Sequence, residues 1–243
     1  MVIGADGPHS FVARAVNATK YNEAPAACVN AYSYWRGVDI DATELYVRPG
    51  RFVVAVPTND DLVIIAQGAP RSEEALYRND IEAAFTETLA MVPHLGDRIA
   101  NAERVERFRF WTTTEGFFRI PAGPGWALVG DAGYHKDAIT AQGMLDAFRD
   151  AELLAEAIDT GDMVGYQRRR DTAALPMYGL TCTLAQVDQP PAPEMLQLIG
   201  ALASNQEQTS RFFGLIAGSV RVEEFMHPDN ISSIISGASV VAA

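Results

Sequence analysis

Cysteine is almost absent: Cys28 and Cys182 are the only two in 243 residues. Two thiols so far apart supply neither a disulfide framework nor metal-ligand spacing. Both are therefore expected to be reduced and buried or half-buried, in a cytoplasmic protein. Histidine is as sparse, with four residues and no pair at i,i+4, so no metal site is expected. Positive charge is in deficit: 19 Lys and Arg face 31 Asp and Glu, a net charge of −12. That sign is the opposite of a binder of nucleic acid or anionic membrane. The one tight basic cluster, Arg168-Arg169-Arg170, reads as a solvated last turn of a helix. No apolar run approaches the roughly 18 residues of a membrane span. No basic region precedes an apolar core at the N-terminus, so no secretory signal is expected. No Ser-His-Asp spacing suggests a hydrolase. The pattern G-x-G-x-x-G is absent too, since neither Gly4–Gly7 nor Gly123–Gly125 has its spacing.

What is present is ordinary globular material. Hydrophobic residues at 48% and charged residues at 21% suit one large domain or two small ones with a sizeable core. Met1-Val2-Ile3 is a short apolar run broken by Gly4, Asp6-Gly7 and Ser10, and Phe11 to Val16 follows with helical spacing. Apolar, β-branched runs at 29–38, 44–47, 51–56 and 62–67 are separated by turn residues such as Pro49-Gly50 and Asn59-Asp60-Asp61. That pattern predicts an antiparallel sheet of three or four strands, too apolar on both faces to stand bare in water. Ser72 is placed to cap a helix that carries Ile81, Ala84, Phe85, Thr88 and Leu89. Strand-like alternation resumes at 105–111, and Trp126 to Val129 reads as a buried strand.

A strong amphipathic helix is predicted from residue 140 to 158. Met144, Phe148, Ala151, Ala155 and Ile158 share one face, with Leu145 and Leu154 beside it. Asp146, Arg149, Asp150, Glu152 and Glu156 take most of the rest, and Gly161 supplies the stop. A further helix runs from Met163 into the arginine cluster. Pro190 to Pro193 is a rigid connector, residues 194–217 read as more helix, and the tail from Ile231 to Ala243 is expected to pack on its own domain or fray.

Two stretches carry chemistry. One is Gly4-Ala5-Asp6-Gly7-Pro8-His9-Ser10 with Arg14, and the other runs from Gly130-Asp131 to Gln142-Gly143. Each is an apolar strand, then a glycine–aspartate turn, then a helix. Such turns present backbone N–H groups at a helix N-terminus, a site for negative charge. Their glycines permit positive φ and close approach of a ligand, and their aspartates can accept from hydroxyl groups.

In this order, the pair resembles the two internal fingerprints of the flavin-dependent aromatic hydroxylases, the single-component FAD monooxygenases of the para-hydroxybenzoate hydroxylase type. Residues 4–14 look like that family's DG motif, and 130–143 like its GD motif, extending through Asp150-Ala151 and Leu154-Ala155. The resemblance implies a mixed α/β (α+β) fold. Residues 1–28 and 122–175 would form a partial, Rossmann-like FAD-binding domain, 29–121 an antiparallel β-sheet substrate domain, and 176–243 a C-terminal helical extension.

Cofactor contacts are implied for Asp6, Gly7, Arg14, Gly130, Asp131, Ala141, Gln142 and Gly143. Asp131 would bind the ribityl chain, Gln142-Gly143 would face the flavin pyrimidine, and Asp6 and Arg14 would lie near the pyrophosphate. NAD(P)H would reduce the flavin, and an oxygen atom from O₂ would pass to a small aromatic or polyketide-like substrate. No catalytic side chain is singled out.

The sequence departs from the family pattern at Tyr134 (usually His), Ala138 (usually Pro), Ala141 (usually Gly) and Leu145 (often Asn), and Arg14 comes one residue late. The family's G-x-G-x-x-G segment precedes the DG motif, so this chain is expected to correspond to the latter part of a longer flavoprotein. Three other readings stay open: an interaction domain that oligomerises or needs a complementing chain, a geranylgeranyl-reductase-like flavoprotein, and a halogenase-like one. His9, His135 and Lys136 read as exposed loop residues, Arg48 and Arg51 as solvent-facing, and Trp35, Trp111 and Trp126 as core.

Overall fold

The first apolar run and the turn after it fold as expected. In the computed structural model, which describes residues 1–241, β1 (Val2–Gly4) leads through a turn to α1 (Phe11–Ala15), whose N-cap is Ser10. β2 (Lys20–Ala24) follows, and then a long meander: β3 (Cys28–Arg36), β4 (Glu44–Arg48), β5 (Arg51–Pro57) and β6 (Leu62–Pro70). Three helices come next: α2 (Glu74–Asn79), α3 (Ile81–Ala90) and α4 (Pro93–Ile99). Short strands succeed them: β7 (Glu103–Arg104), β8 (Arg109–Thr112), β9 (Gly116–Arg119), β10 (Ala122–Gly123), β11 (Trp126–Leu128) and β12 (Tyr134–His135). The rest is helical: α5 (Gly143–Thr160), α6 (Met163–Leu184), α7 (Pro193–Ala203), α8 (Gln206–Ile216), α9 (Val222–Phe225) and α10 (Pro228–Val241). Ala242 and Ala243, the end of the expected tail, lie outside the described residues. No helix among the described residues is long and apolar enough to cross a membrane.

The chain divides into two units. One comprises Ala26–Thr114 with Ala185–Pro190, and the other Met1–Pro25, Glu115–Leu184 and the chain from Pro191 onward. In the first, the sheet order is β4-β5-β6-β3-β7, with β8 also paired to β3, and every pairing is antiparallel. Period-two alternation sends Val29, Ala31 and Trp35, Val53 and Ala55, and Val63, Ile65 and Ala69 to one face, where they pack on Tyr77, Phe85 and Leu95 of the helices. Each large apolar side chain so buried contributes on the order of 1.5–3 kcal/mol.

In the second unit, β1 and β11 pair in parallel, with Gly4 opposite Leu128, and β10 extends the pair. β12, β9 and β2 make a separate antiparallel sheet. Helices α5 and α6 pack through Leu154, Ala157 and Tyr166 against Ala127. Helices α7 to α10 close over Leu198, Leu202, Leu215, Phe225 and Ile234.

Several expectations are overturned. Residues 71–73 form a 3₁₀ turn, and no side chain caps α2, so Ser72 has no capping role; Asp80 caps α3 instead, accepting from the Ala83 N–H. Arg51 is a half-buried ion-pair partner of Glu73 at 2.5 Å rather than a solvent-facing residue. Trp35 is core, but Trp111 is exposed. The arginine cluster does not end a helix: α6 continues to Leu184 with Pro176 inside it, and Arg170 is wholly buried.

The face of α5 is reversed. Asp146, Asp150, Leu154 and Ala157 point inward, while Met144 and Phe148 are 76% and 74% exposed, and Leu145 and Ile158 are exposed as well. The physical reason lies in the partners of its carboxylates, described next.

Candidate functional site

The two glycine–aspartate turns leave the ends of neighbouring parallel strands, β1 and β11. Gly4 fits only as glycine, because a Cβ there would fall 2.7 Å from Leu128 Cδ2 and 2.9 Å from Val12 Cβ. Gly7 takes φ +80° with open space around it. Asp6 is engaged locally. Its Oδ2 accepts from the N–H groups of Phe11 at 2.7 Å and Val12 at 3.2 Å, while Ser10 Oγ accepts from Ala13 N–H. The Ser10 side chain and these backbone donors hold the Asp6 carboxyl below the usual carboxylate range. Arg14 donates to the His9 carbonyl.

The second turn starts at Gly130, φ +55°, followed by Asp131 and Ala132 in a 3₁₀ turn. Asp131 Oδ2 lies 3.4 Å from His135 Nδ1. The chain reaches α5 through a 3₁₀ turn at Ala138–Thr140 capped by Asp137, and then through Ala141 in the left-handed region at φ +53°. An alanine there carries a steric penalty of about 1 kcal/mol that a glycine escapes. Gln142 is the N-cap of α5 and makes no side-chain cap. Its amide instead donates to the Ile216 carbonyl at 2.6 Å. Helical N–H bonding within α5 begins at Asp146, which donates to the Gln142 carbonyl, so the N–H groups of Gly143, Met144 and Leu145 form the positive end of the helix. A Cβ at Gly143 would meet nothing within 4 Å, so this end opens to free space.

Residues outside both motifs hold them together. Arg119, 7% exposed, donates from one nitrogen to the Ala132 carbonyl at 2.7 Å and from another to the Pro8 carbonyl at 3.1 Å. One guanidinium thus spans both turns, stacked over Phe117 at 4.1 Å. Arg170 donates to the Gly133 and Arg119 carbonyls, to the Tyr21 hydroxyl and to Asp171. Tyr166 donates to the Leu128 carbonyl at 2.7 Å.

Lys136 is buried, not an exposed loop residue, and it pairs with Asp146. His135 is half-buried beside Phe117. Arg149 bridges Asp146 at 2.7 Å and Asp150 at 2.8 Å, and Asp150 also accepts from the Gly130 backbone. Burial pushes the Asp150 carboxyl up, against the pull of Arg149. Burial first, and then the Arg149 charge, push Lys136 down to about 8. This network draws the acidic stripe of α5 inward and leaves the apolar stripe outside.

Among the described residues, no group of His, Cys, Asp and Glu could hold a metal ion. The structure brings together Gly7, Gly130, Asp131, Gln142 and Gly143 as two adjoining turns and one helix end. Asp6 and Arg14 are held within the first turn. Sequence reasoning missed Arg119, the burial of Arg170 and the inward pairing of Arg149 with Asp146 and Asp150, although Asp150 lay within the extended GD motif. The available signal was an arginine set within apolar sequence, as in Phe117-Phe118-Arg119-Ile120.

No family profile matches the chain. The digeranylgeranylglycerophospholipid reductase of Methanothrix thermoacetophila is 26% identical over 190 residues, which is 70% of this chain and 45% of that protein. The flavin-dependent brominase Bmp2 superposes with a TM-score of 0.70 at 17% identity, over 99% of this chain and 62% of the brominase. pqsL of Pseudomonas aeruginosa, a probable FAD-dependent monooxygenase, gives 0.54 at 22% identity over 78% of this chain and 56% of its own. The chain thus spans about half the length of these proteins. It has the mixed α/β fold of part of the FAD-dependent flavoproteins. The likeness is to that broad group, halogenases included, and not to the para-hydroxybenzoate hydroxylase type in particular.

Proposed function

We propose that this chain forms the part of an FAD-dependent oxidoreductase that faces the ribityl chain and the flavin ring, most simply a monooxygenase of a small aromatic or polyketide-like compound. The observation that carries this reading is the pair of adjoining strand–turn–helix turns on parallel β1 and β11, clamped by Arg119. The donor set fits the cofactor. Three N–H groups at the α5 terminus open to free space and suit the electron-rich pyrimidine edge of a flavin. The Asp131 carboxylate, part-exposed beside His135, suits ribityl hydroxyls. Gln142, tied to Ile216, fixes the approach to the helix end. Gly7 leaves room for a phosphate-bearing chain beside Arg14. FAD, when bound, supplies the redox chemistry, with NAD(P)H as reductant and O₂ as oxidant. In this scheme residues 1–28 and 122–175, with Arg119 as their clamp, serve the cofactor, and the rest of 29–121 serves the substrate.

A second reading has its own observation. Val2 and Ile3 project to opposite faces of β1, both are exposed, and β1 lies at the edge of its sheet. A short parallel strand apolar on both faces is built to be covered. Under this reading the unit is a pairing module whose edge accepts a strand from a complementing chain.

Titration with FAD separates the two. Saturable quenching of flavin fluorescence by the purified chain, lost in Asp131→Ala, supports the first. No uptake of FAD, together with concentration-dependent association in sedimentation velocity, overturns it in favour of the second.

A further inference from the structure

The two edges of the large sheet are finished differently. One is made of the short strands β7 and β8, of two and four residues, both beside β3. Short, charged edge strands are a common guard against pairing with another chain. The other edge is β4, five residues in unbroken register with β5, with no lysine, proline or bulge. Its Leu45 and Val47 are 42% and 47% exposed. They share one face with Val54 and Phe52, which lie opposite them on β5. Glu44, Tyr46 and Arg48 alternate to the face that carries the helices, where Glu44 meets Arg98 and Arg48 meets the Met91 carbonyl.

The hairpin fixes which backbone groups of β4 face outward. Only Pro49 and Gly50 separate Arg48 from its partner Arg51, so that pair closes the turn and is hydrogen-bonded. By alternation Tyr46 and Glu44 also bond to β5, and the N–H and C=O groups of Leu45 and Val47 point away from it. The Val47 carbonyl bears this out, since it accepts from the Arg48 side chain at 2.9 Å. An antiparallel strand must therefore meet β4 at Leu45 and Val47. A second β4 does so in one register. With a twofold axis at Tyr46, each Leu45 faces the partner's Val47, and the outward groups of both residues are paired. An axis at Val47 would set Leu45 against the partner's Pro49, which has no N–H. An axis at Leu45 would set Val47 against the partner's Thr43, outside the strand.

The same register matches the side chains. Leu45 meets the partner's Val47 on the apolar face, twice by symmetry, and Glu44 meets the partner's Arg48 on the helix face, also twice. Arg48 is suited to such a contact. Among the described residues it donates to the Met91 and Val47 carbonyls and pairs with no carboxylate. Pairing gives the Val47 carbonyl a backbone donor and releases the guanidinium for the partner's Glu44. Glu44 already accepts from Arg98 and Tyr46, and its remaining lone pairs can take the added donor. We infer that β4 is a homodimer interface, in which two copies of this chain pair β4 with β4 antiparallel about a twofold axis at Tyr46 and join their large sheets into one. Each copy uses its β4 edge in the contact, so assembly closes at two chains.

The experiment is sedimentation velocity on the full chain over a concentration series, with circular dichroism confirming the fold of each variant. Expected is a monomer–dimer equilibrium. Val47→Pro removes one outward N–H and no bond of the β4–β5 ladder, a place where sheets accept proline. It should raise the dimer Kd at least about tenfold, as should Val47→Lys, which sets an ammonium against the partner's Leu45. Arg48→Glu brings like charges together at both ends of the contact. It should weaken the dimer at least about fivefold at low salt, and the gap from the parent should narrow as salt rises. Ile3→Pro is the control. Val2 and Gly4 bond to the β11 side, so the Ile3 N–H points to the open edge of β1. That change should leave Kd within about twofold of the parent. A chain that stays monomeric across the series, an unchanged Kd in either Val47 variant, or a salt-independent effect of Arg48→Glu overturns the assignment. Dimers lost in Ile3→Pro place association at β1 and overturn it as well. FAD enters none of these measurements, so the cofactor reading stands or falls by its own titration.

Discussion

Replacing Arg119 by methionine tests whether the two turns form one site. Methionine preserves the unbranched stem and its contact with Phe117 but removes both hydrogen bonds, at 2.7 Å to Ala132 and 3.1 Å to Pro8. Hydrogen bonds from a charged donor contribute about 1.5–3 kcal/mol each. Part of that is returned, because burial and then the Arg14 charge already disfavour the guanidinium and lower its pKa. A net loss of about 2–3 kcal/mol follows, or roughly 5–10 °C in Tm at about 2–4 °C per kcal/mol for a chain of this size. Thermal melts by circular dichroism read the first quantity, and FAD titration reads the second. Because the clamp fixes the spacing of the turns, FAD affinity should fall at least about tenfold. Arg36→Met is the control: its ion pair with Glu103 is exposed, and its loss should cost less than about 1 kcal/mol. A variant that melts within 2 °C of the parent would refute the energetic argument. One that melts early but binds FAD normally would refute the single site.

Gly68→Ala should destabilise the chain by about 1–3 kcal/mol, because the new methyl group would sit 1.9 Å from the Phe52 ring. Adding Phe52→Leu should recover part of the loss, and additive effects of the two changes in urea melts would exclude the contact. Lys136 gives a pH signature. Its folded pKa of about 8 lies below the ordinary 10.5, so between those values the unfolded chain holds a proton that the folded chain has released, and stability rises with pH across that window. The stability difference between the parent and Lys136→Met, measured by urea melts at pH 7 to 10.5, should therefore shift in favour of the parent as pH rises; a flat difference would show that the ammonium is not buried. Asp146 keeps Arg149 at 2.7 Å in that variant, so the change isolates the lysine.

Local chemistry was the readable part of this sequence. Turn residues between β-branched runs located β3, β4, β5 and β6 to within a few residues, because both hairpin turns and strand alternation are set by neighbours in the chain. Gly161 ended up as the predicted stop for the same reason. Arg170 was misread because its partners are distant in sequence. The Arg119 and Gly133 carbonyls and the Tyr21 hydroxyl come together only once β9, β2 and α6 pack, and nothing adjacent to Arg168-Arg169-Arg170 signals them.

Helix α5 shows where pattern ceases to decide orientation. Its amphipathic period is plain in the sequence, and a period has two faces. Burying the apolar face is the default because exposed methylenes cost free energy, but that default holds only if the polar face can be left to water. Here Asp150 is needed inside to hold the Gly130 backbone, Asp146 to neutralise Lys136, and Arg149 to balance both. The acidic stripe is thus committed to the glycine–aspartate turn, and Met144, Leu145 and Phe148 are left facing outward at the very end of the helix that presents its N–H groups. A surface that retains such side chains next to a candidate cofactor site is best explained by something that covers it, which is why FAD uptake and self-association have to be measured on the same preparation.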